Sequence, residues 1–512
     1  MDDPVLWLGT VVLALAAAGC LLAPRAGQMR LAGAAVLVVA PTLVVADNWG
    51  TERIEALRSQ PLVIAAGLVL ALAAVVVAAR FLAPRPWLAG LAAVAVLPFR
   101  IPIELGEGTA NLLLPLYGVI AAGAVAAALR GPWRRGGDGG WTGSKEASDA
   151  EDDPAAGARA EGGGASRARA GWKDRSAPVE LIPLLLAAFV VVYALQAVYA
   201  DDISVAIERM AFFFAPFALL FRLLRTIRWD GGLLRLALAV ITVEALAVAV
   251  VGFGQYAVGE IFWNEKVISG NEAHVWFRVN SLFFDPNIMG RFLALVAVAL
   301  AGVVAWTKER RRAGLATAAF LVLAAALTIT FSVSSMLALF AGLCAVVAVR
   351  WGIGAGALTG AGVAAALAGV VVTIGGGGQI SEETTGRSGL VSGGLELAAD
   401  RPFWGYGSGT FSAEFTDRFE PEEGIAVESH TEPITVAVEQ GIIGLIPFTL
   451  LVAAALVAIA AAAGLSMGGA RDPVLATLLA MLVVMVVHSL GYAALMIDPV
   501  TWALLAVGTT LG

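Results

Sequence analysis

Charged residues and cysteines are both scarce in this chain of 512 residues. Asp, Glu, Lys and Arg make up 14% of it, whereas soluble domains contain about 25%. Both cysteines, Cys20 and Cys344, lie within apolar runs, so no disulfide framework is expected. The first residues are acidic rather than basic, unlike the start of a cleaved signal peptide. So little charge excludes an ordinary soluble globular fold.

Hydrophobic residues instead make up 59% of the chain, and the mean hydropathy is +0.84. A membrane span needs about 17–25 predominantly apolar residues. We therefore predict an all-α polytopic membrane protein with about 12–15 transmembrane helices, of which the second and fourth are marginal in length. The apolar runs are 5–22, 31–46, 61–79, 86–99, 111–129, 179–199, 205–227, 232–257, 289–306, 313–330, 333–349, 352–374, 433–464, 473–496 and 499–512.

Basic residues are concentrated in alternate connections between these runs. The opposite connections contain few basic residues near the span ends and several acids, including Glu104 and Asp201. By the positive-inside rule the basic set is cytoplasmic, which predicts a plasma-membrane protein whose other loops are extracytoplasmic. The basic set includes Arg25, Arg30, Arg80, Arg85, Arg130, Arg222, Arg225, Arg228, Lys308, Arg310, Arg311, Arg312, Arg350 and Arg471.

Composition divides the chain into five parts. Predicted transmembrane helices fill residues 1–130, 178–375 and 433–512. Residues 131–177 are rich in Gly, Ala, Asp and Arg, which is typical of a disordered cytoplasmic linker. Residues 376–432 are predicted to form a large extracytoplasmic loop before the last two or three helices. A smaller outer loop, 259–288, interrupts the central helices.

His430 lies where the long polar segment meets the apolar run 433–464. Pro433 suits the first turn of a helix, so His430 is predicted to lie at a membrane surface. Glu439 then falls about 9 Å into the helix, where a carboxylate is costly and indicates a function. The alternative is an interfacial histidine beside an ordinary helix. The small residues on one face of this helix, where another helix is expected to approach closely, are Ala437, Gly441 and Gly444.

The smaller outer loop contains Arg278, and Pro286-Asn287 open the next span. Arg291 lies one turn farther on. A guanidinium offers several donors that suit a phosphate, and a helix start adds N–H groups for an anion. These residues therefore predict a phosphate-binding site. The alternative is a surface arginine beside a capped helix.

The long polar segment contains Arg387 and then a run rich in glycine and aromatic residues, Asp400 to Phe411, which includes Arg401. Glycine allows tight turns, and aromatic rings can stack on sugars. The alternative is a compact loop held by its own Trp and Phe. An acidic stretch follows, predicted to be a solvated surface, with a divalent-metal site as the alternative: Glu420, Glu422, Glu423, Glu428 and Glu432.

The stretch beginning at His430 resembles the signature of the O-antigen ligase / O-antigen polymerase superfamily. Glu439 follows His430 by nine residues, and Gly441 and Gly444 follow it by eleven and fourteen. The family usually has Asn after the histidine, where this chain has Thr431.

Two further segments add to the resemblance. Arg278, Pro286 and Asn287 resemble the family's second motif. The region from Arg387 through the glycine run resembles its loop motif. The family often has Arg between two serines where this chain has Val333. The resemblance covers most of the chain beyond about residue 98, apart from the predicted linker.

The resemblance implies a GT-C-like glycosyltransferase architecture and a polyprenyl-pyrophosphate-linked glycan as donor. The acceptor would be a hydroxyl of a cell-surface glycan, lipid or protein on the extracytoplasmic side. In the family, transfer inverts the anomeric centre and uses no metal, cofactor or nucleotide sugar. No nucleic-acid partner is expected, and membrane lipid surrounds the helices.

The chemistry of each side chain indicates the role we expect it to have in the family's mechanism. His430 is expected to act as the general base, because a histidine titrates near neutral pH. Arg278 is expected to stabilise the charge of the leaving pyrophosphate. Glu439 is expected to orient His430 or to pair with an arginine. The expected helpers in substrate binding are Arg291, Arg387, Arg401 and Asn287.

Two other functions remain open from the sequence. A polymerase of lipid-linked repeat units belongs to the same superfamily and differs from a ligase in its acceptor. A secondary transporter or flippase would show broken helices in two related halves and charges at the membrane midplane. The ionisable residues singled out here cluster on the predicted outer face, which favours catalysis at the interface.

Overall fold

The computed structural model describes residues 4–105, 108–129, 177–273, 276–362, 380–419 and 430–512. The predicted linker, apart from its last residue, lies outside these ranges. So do the acidic residues between 420 and 428.

Helices dominate the described chain, and one antiparallel hairpin interrupts them. Strand β1 (Ile101–Leu105) pairs with β2 (Gly108–Leu112), so that Ile103 lies opposite Ala110. The helices are α1 Pro4–Leu22, α2 Ala26–Asp47, α3 Glu52–Arg58, α4 Pro61–Leu82, α5 Pro86–Val96, α6 Leu114–Leu129, α7 Ala177–Gln196, α8 Ser204–Arg209, α9 Ala215–Arg225, α10 Gly231–Val258, α11 Glu265–Ala273, α12 Pro286–Trp306, α13 Arg310–Thr328, α14 Val333–Trp351, α15 Ile380–Asp400, α16 Phe411–Phe419, α17 Glu432–Ala462, α18 Pro473–Ser489 and α19 Pro499–Leu511.

Ten helical stretches in the described ranges are long and apolar enough to cross a membrane. Four shorter apolar helices accompany them: α5, α6, α18 and α19. The prediction of a helical multi-pass membrane protein is therefore confirmed. One of the ten stretches, Ser204–Arg225, combines α8 and α9 across a single π-helical turn, Met210–Phe214.

Proline and aspartate determine where several of these helices begin. Proline is the first residue of α12, α18 and α19, where its missing N–H needs no partner. An aspartate caps each of these helices and α10 by accepting hydrogen bonds from N–H groups of the first turn. These four caps are Asp230, Asp285, Asp472 and Asp498.

Contacts between helix ends define two ends of the bundle. At one end Arg222 donates to the Ala23 carbonyl and Arg350 to the Ala305 carbonyl. At the other end, where α12, α14, α17 and α19 begin, Thr431 donates to the Leu490 carbonyl. We call the latter the site end. Arg222 and Arg350, which belong to the predicted cytoplasmic set, therefore lie at the end of the bundle opposite the predicted site segments.

Two predicted boundaries are wrong. The run expected to span from residue 111 starts in β2, and α6 begins at Leu114. The span expected at 473–496 ends at Ser489, and the connecting segment 490–498 leaves the helix. The expected large loop contains α15 and α16, whose apolar faces pack with Val438 of α17. Apolar composition alone does not distinguish a buried connection from the helix that precedes it.

Candidate functional site

A break in α17 forms the first part of the site. Gly441 has φ 58° and ψ −158°, a conformation available essentially to glycine alone. The break exposes backbone groups that residues 402–407 satisfy. The Tyr406 N–H donates to the Val438 carbonyl at 2.9 Å, and the Ile442 N–H donates to the Pro402 carbonyl at 2.8 Å. Two motifs separated in sequence therefore form one structural unit.

Glycine is required on both sides of this contact. A Cβ on Gly405 would lie 2.5 Å from the Glu439 carbonyl group, and one on Gly441 would lie 2.5 Å from that of Phe403. At Gly441 the close neighbour is the turn at residues 402–405 rather than the expected helix, and Gly444 leaves room for the side chain of Gln440 in its own helix.

The end of α7 holds this junction from a third direction. Gln196 Nε2 donates to the Gln440 carbonyl at 2.9 Å and to the Trp404 carbonyl at 3.2 Å. The Tyr199 hydroxyl donates to the same Trp404 carbonyl at 2.6 Å. An amide and a phenol thus cross-link the loop to the broken helix, which fixes the orientation of the first turns of α17.

Glu439 lies just before the break and pairs with an arginine that the sequence analysis missed. Arg209 Nη1 donates to both carboxylate oxygens at 2.9 Å. The Glu439 side chain is 1% exposed, whereas that of Arg209 is 29% exposed. Of the two expectations for Glu439, the structure shows pairing with an arginine. The sequence feature that could have identified Arg209 is its charge, because Arg209 lies within the predicted span 205–227.

The connecting segment 490–498 joins the start of α17 to the rest of the site. The carboxylate of Glu432 accepts the Leu495 N–H at 3.1 Å and the Met496 N–H at 3.3 Å. Glu432 is buried, so its assignment to a solvated acidic surface is wrong. A buried carboxylate is stable here because backbone donors replace its water. His430, two residues earlier, is half-buried beside this contact.

Asp498 ends the connecting segment and forms ion pairs with two arginines. Arg291 Nη2 donates to Asp498 Oδ2, and Arg100 Nη2 lies 3.5 Å from the same oxygen. The Arg291 side chain is 3% exposed and that of Arg100 is 12% exposed. Burial of Arg291 in an ion pair favours a positioning role over direct contact with a substrate. Sequence analysis did not identify Asp498.

Arg278 lies against the turn between α13 and α14. Its Nε donates to the Thr330 carbonyl at 3.1 Å, and its backbone N–H donates to Asn271 Oδ1 at 2.9 Å. Asn287 Oδ1 accepts from the Ser332 hydroxyl at 2.7 Å in the same turn. Arg278 and Asn287 therefore contact the same turn, residues 330–332.

A buried histidine extends this cluster into the bundle. His488 Nε2 lies 3.1 Å from Ser335 Oγ, which also hydrogen-bonds to Ser332. The ring of Trp276 stacks on that of Phe331 in the same turn, with 6.3 Å between the ring centroids. We assign His488 a structural part in the site because its ring is fully buried.

The remaining predicted residues lie on the α15–α16 unit. Arg387 lies within α15. The exposed Arg401 stacks on the Tyr406 ring, 4.2 Å from its centroid. Arg401 also lines a cavity of about 650 Å³ with apolar residues of α7, residues 402–405 and Ile443. Such a volume is within the range of ligand pockets.

Two carboxyl groups tie α16 to the connection between α7 and α8. Burial raises the pKa of Glu414, and the charge and hydrogen bond of Asp201 raise it further. Burial likewise raises the pKa of Tyr406. Nearby, a Cβ on Gly407 would lie 2.7 Å from Ala200. The α15–α16 unit is therefore fixed at the site end.

Among the described residues, no three His, Cys, Asp or Glu side chains are grouped closely enough to hold a metal ion. Neither a protein-family model nor a curated protein matches this chain. Functional assignment therefore depends on the residues and their geometry. Those residues provide a histidine at a helix start, several arginines and an open apolar cavity at one end of a membrane bundle.

Proposed function

We propose that this protein is a membrane glycan ligase, similar to the O-antigen ligases, that uses a polyprenyl-pyrophosphate-linked glycan as donor. Transfer takes place at the site end, on the extracytoplasmic side of the plasma membrane. The acceptor is a hydroxyl group of a cell-surface glycan, lipid or protein. The observation that carries the proposal is the convergence of the segments around Arg278, His430 and Gly405 at this one end.

The electrostatics of the site end suit a pyrophosphate donor. Four helices begin there, α12, α14, α17 and α19, and helix N-termini attract anions. Asp285 and Asp498 already cap α12 and α19, whereas the neutral Ser332 caps α14. Arg278 adds a guanidinium group. Hydrogen bonds from its Nε and from the backbone N–H of the same residue already fix its position. Preorganised donors of this kind stabilise a charge that develops in the transition state.

The proposed reaction is a single displacement at the anomeric carbon of the donor glycan. The acceptor oxygen forms a bond to that carbon while the bond from carbon to the pyrophosphate oxygen breaks. The departing polyprenyl pyrophosphate takes the bonding electron pair, and Arg278 stabilises its added charge. The proton of the acceptor hydroxyl passes to a ring nitrogen of His430 and then to solvent.

The neighbouring contacts position these groups. The Arg209–Glu439 pair and the 402–407 loop fix the first turns of α17, which follow His430. The polyprenyl chain is proposed to occupy the apolar cavity beside Arg401, where the lining residues offer few polar groups. The exposed Arg401 is then available to the glycan or pyrophosphate as it enters from the α15–α16 side, and Arg387 is proposed to assist it.

The test is glycan transfer by purified protein in lipid, with a polyprenyl-pyrophosphate oligosaccharide as donor and a membrane extract as acceptor. We expect His430→Ala and Arg278→Ala each to reduce transfer by at least a hundredfold, since each removes a group acting on the transition state. Product length distinguishes a ligase, which adds one glycan, from a polymerase, which yields a ladder.

Arg222→Ala serves as the matched control, because Arg222 is a partly buried arginine at the opposite end of the bundle. Transfer by that variant should equal wild type, and a chelator should change none of the rates. Undiminished transfer by both His430→Ala and Arg278→Ala would contradict the assignment of these residues to the active site. Absence of transfer by wild type with several donor lipids would argue against the ligase.

A further inference from the structure

Two large aromatic rings project from the turn that fills the break in α17. We call residues 401–404 the exposed turn, because all four side chains are exposed. The rings of Phe403 and Trp404 are 66% and 64% exposed. The backbone is nevertheless held firmly, since Gln196 and Tyr199 both donate to the Trp404 carbonyl. The fold itself therefore presents these rings outward, which indicates a surface that contacts a partner or a membrane.

The unit that precedes the exposed turn has a charged surface. Arg418 Nη2 of α16 lies 3.1 Å from Glu396 Oε1 and 3.1 Å from Asp400 Oδ2, both of α15. All three side chains are exposed. Exposed ion pairs of this kind persist in water, whereas charged side chains are costly in hydrocarbon. The α15–α16 unit therefore faces water.

The two spans that meet the exposed turn have apolar surfaces instead. Exposed side chains recur every four residues along α17 after the break, at Ile442, Ile446 and Leu450. Leu195 of α7 is also exposed, and it lines the same cavity as both aromatic rings. Both helices are long and apolar enough to span a membrane. The rings are thus continuous with a surface suited to lipid.

The lengths of these two helices place the exposed turn at the edge of the membrane core. α7 has 20 residues and ends at Gln196, so it is about 30 Å long, which is the thickness of the hydrocarbon core. The part of α17 beyond the break, 442–462, is about 31 Å long. Gln196 donates to the Gln440 carbonyl, so both helices reach the same level at the break. The exposed turn lies at that level.

We propose that the exposed turn anchors the α15–α16 unit to the bilayer, with the rings of Phe403 and Trp404 in the lipid interface at the site end. Tryptophan is enriched in that layer because its ring has an apolar body and a polar N–H. The break at Gly441 then coincides with the membrane boundary. Residues 432–440 stand above the boundary, and they hold His430 in the aqueous phase over the membrane. The partner of this surface is the bilayer itself, so the anchor is independent of the proposed function.

Single fluorescent labels test the depth of the exposed turn. The full-length protein, with Cys20 and Cys344 replaced by alanine, receives one thiol in each of three variants. Phe403→Cys reports on the turn, Leu450→Cys on the lipid-facing side of α17, and Ser412→Cys on the exposed surface of α16. Each labelled variant is placed in nanodiscs of phospholipids brominated near the glycerol end of the acyl chain. Iodide in solution is the quencher for the aqueous phase.

The anchor predicts a distinct response at each position. Brominated lipid should quench the label at residue 403 by about half, because the interface brings it within reach of the bromine atoms. The label at residue 412 should respond to iodide alone. Lipid brominated at mid-chain should quench residue 450 more than residue 403. A label at residue 403 that behaves like the one at residue 412 would overturn the proposal.

Melting temperatures in nanodiscs give a second test without a label. Trp404→Glu should lower the melting temperature by about 2 °C or more, because a carboxylate replaces a ring buried in the interface. Trp404→Tyr should match wild type, since tyrosine also prefers the interface. Leu395→Glu is the matched control, because it adds the same charge to an exposed apolar position of the α15–α16 unit. Equal melting of Trp404→Glu and wild type would mean that this ring lies in water.

The outcomes also separate the anchor from the proposed function, because neither test uses a glycan or a donor lipid. Interfacial quenching at residue 403 without any glycan transfer supports the anchor and contradicts the ligase. Aqueous quenching at residue 403, with transfer that depends on His430, overturns the anchor and leaves the ligase standing. Protection of residue 403 from iodide by an added oligosaccharide would identify the rings as a sugar-binding surface and would also overturn the anchor.

Discussion

At the residue scale, Asp498 combines several tasks in one side chain. It caps α19 with one oxygen, and its other oxygen accepts from Arg291 and forms an ion pair with Arg100. Glu432 and Glu439 are also buried carboxylates: Glu432 accepts from two backbone N–H groups, and both oxygens of Glu439 accept from Arg209 Nη1. Acids in the apolar bundle are thus retained where they fix a neighbouring segment, which makes their removal costly.

Asp498→Asn tests this residue. Asparagine keeps the shape and the capping oxygen but removes the charge, leaving Arg291 buried without a counter-ion. Loss of one partner from a buried ion pair costs about 3–5 kcal/mol, and we expect a decrease of that size in the free energy of unfolding. Denaturant titration in mixed micelles would measure it.

Glu309→Gln is the matched control for this substitution. Glu309 pairs with Arg312 on an exposed helix start, where such pairs contribute about 0–1 kcal/mol. The variant should therefore unfold like wild type. Equal stability of Asp498→Asn and wild type would mean that the buried pair adds nothing to the fold.

At the element scale, the break in α17 decides how the site is assembled. A continuous helix at this position would leave residues 402–407 without their backbone partners. Gly441 opens the helix, and the N–H groups of Tyr406 and Gly407 then bond to the Val438 and Glu439 carbonyls at 2.9 Å. The loop motif and the histidine motif are therefore one element in the folded protein.

Gly441→Ala tests the break. Alanine adds strain of about 1–3 kcal/mol at this backbone conformation, in addition to a clash with the Phe403 carbonyl group. We expect a lower melting temperature and loss of glycan transfer. Gly405→Ala should have a similar effect, and the double variant should lose less than the sum because both residues meet at one contact.

A glycine with open space provides the comparison. Gly254 lies within α10, and a Cβ there would meet no atom within 4 Å. Gly254→Ala should leave transfer and stability close to wild type. A wild-type melting temperature for Gly441→Ala would show that the helix break is not required.

At the scale of the whole molecule, the bundle has two chemically different ends. α12 and α14 both run from the site end to the end where Arg350 meets Ala305. This arrangement agrees with the alternation of basic connections along the sequence. The proposed reaction requires the site end to lie outside the cytoplasm.

Cysteine labelling in intact cells tests that orientation. With Cys20 and Cys344 replaced by alanine, Ser412→Cys and Lys308→Cys place single thiols on exposed positions of α16 and of the α12–α13 connection. A membrane-impermeant maleimide should label residue 412 and should reach residue 308 after the membrane is permeabilised. The opposite labelling pattern would place the site end on the cytoplasmic side and would contradict the proposed function.

The sequence by itself determined the class of this protein and most of its helices. The run 232–257 corresponds to α10, and 333–349 to α14, because insertion into a bilayer depends on the local sum of apolar residues. Tertiary structure alone decided the pairing of Arg209 with Glu439, of Arg100 and Arg291 with Asp498, and the break at Gly441. Those partners are up to several hundred residues apart, and no local pattern records them. An ion pair or a backbone contact depends on where two segments meet in space, which hydrophobicity along the chain does not specify.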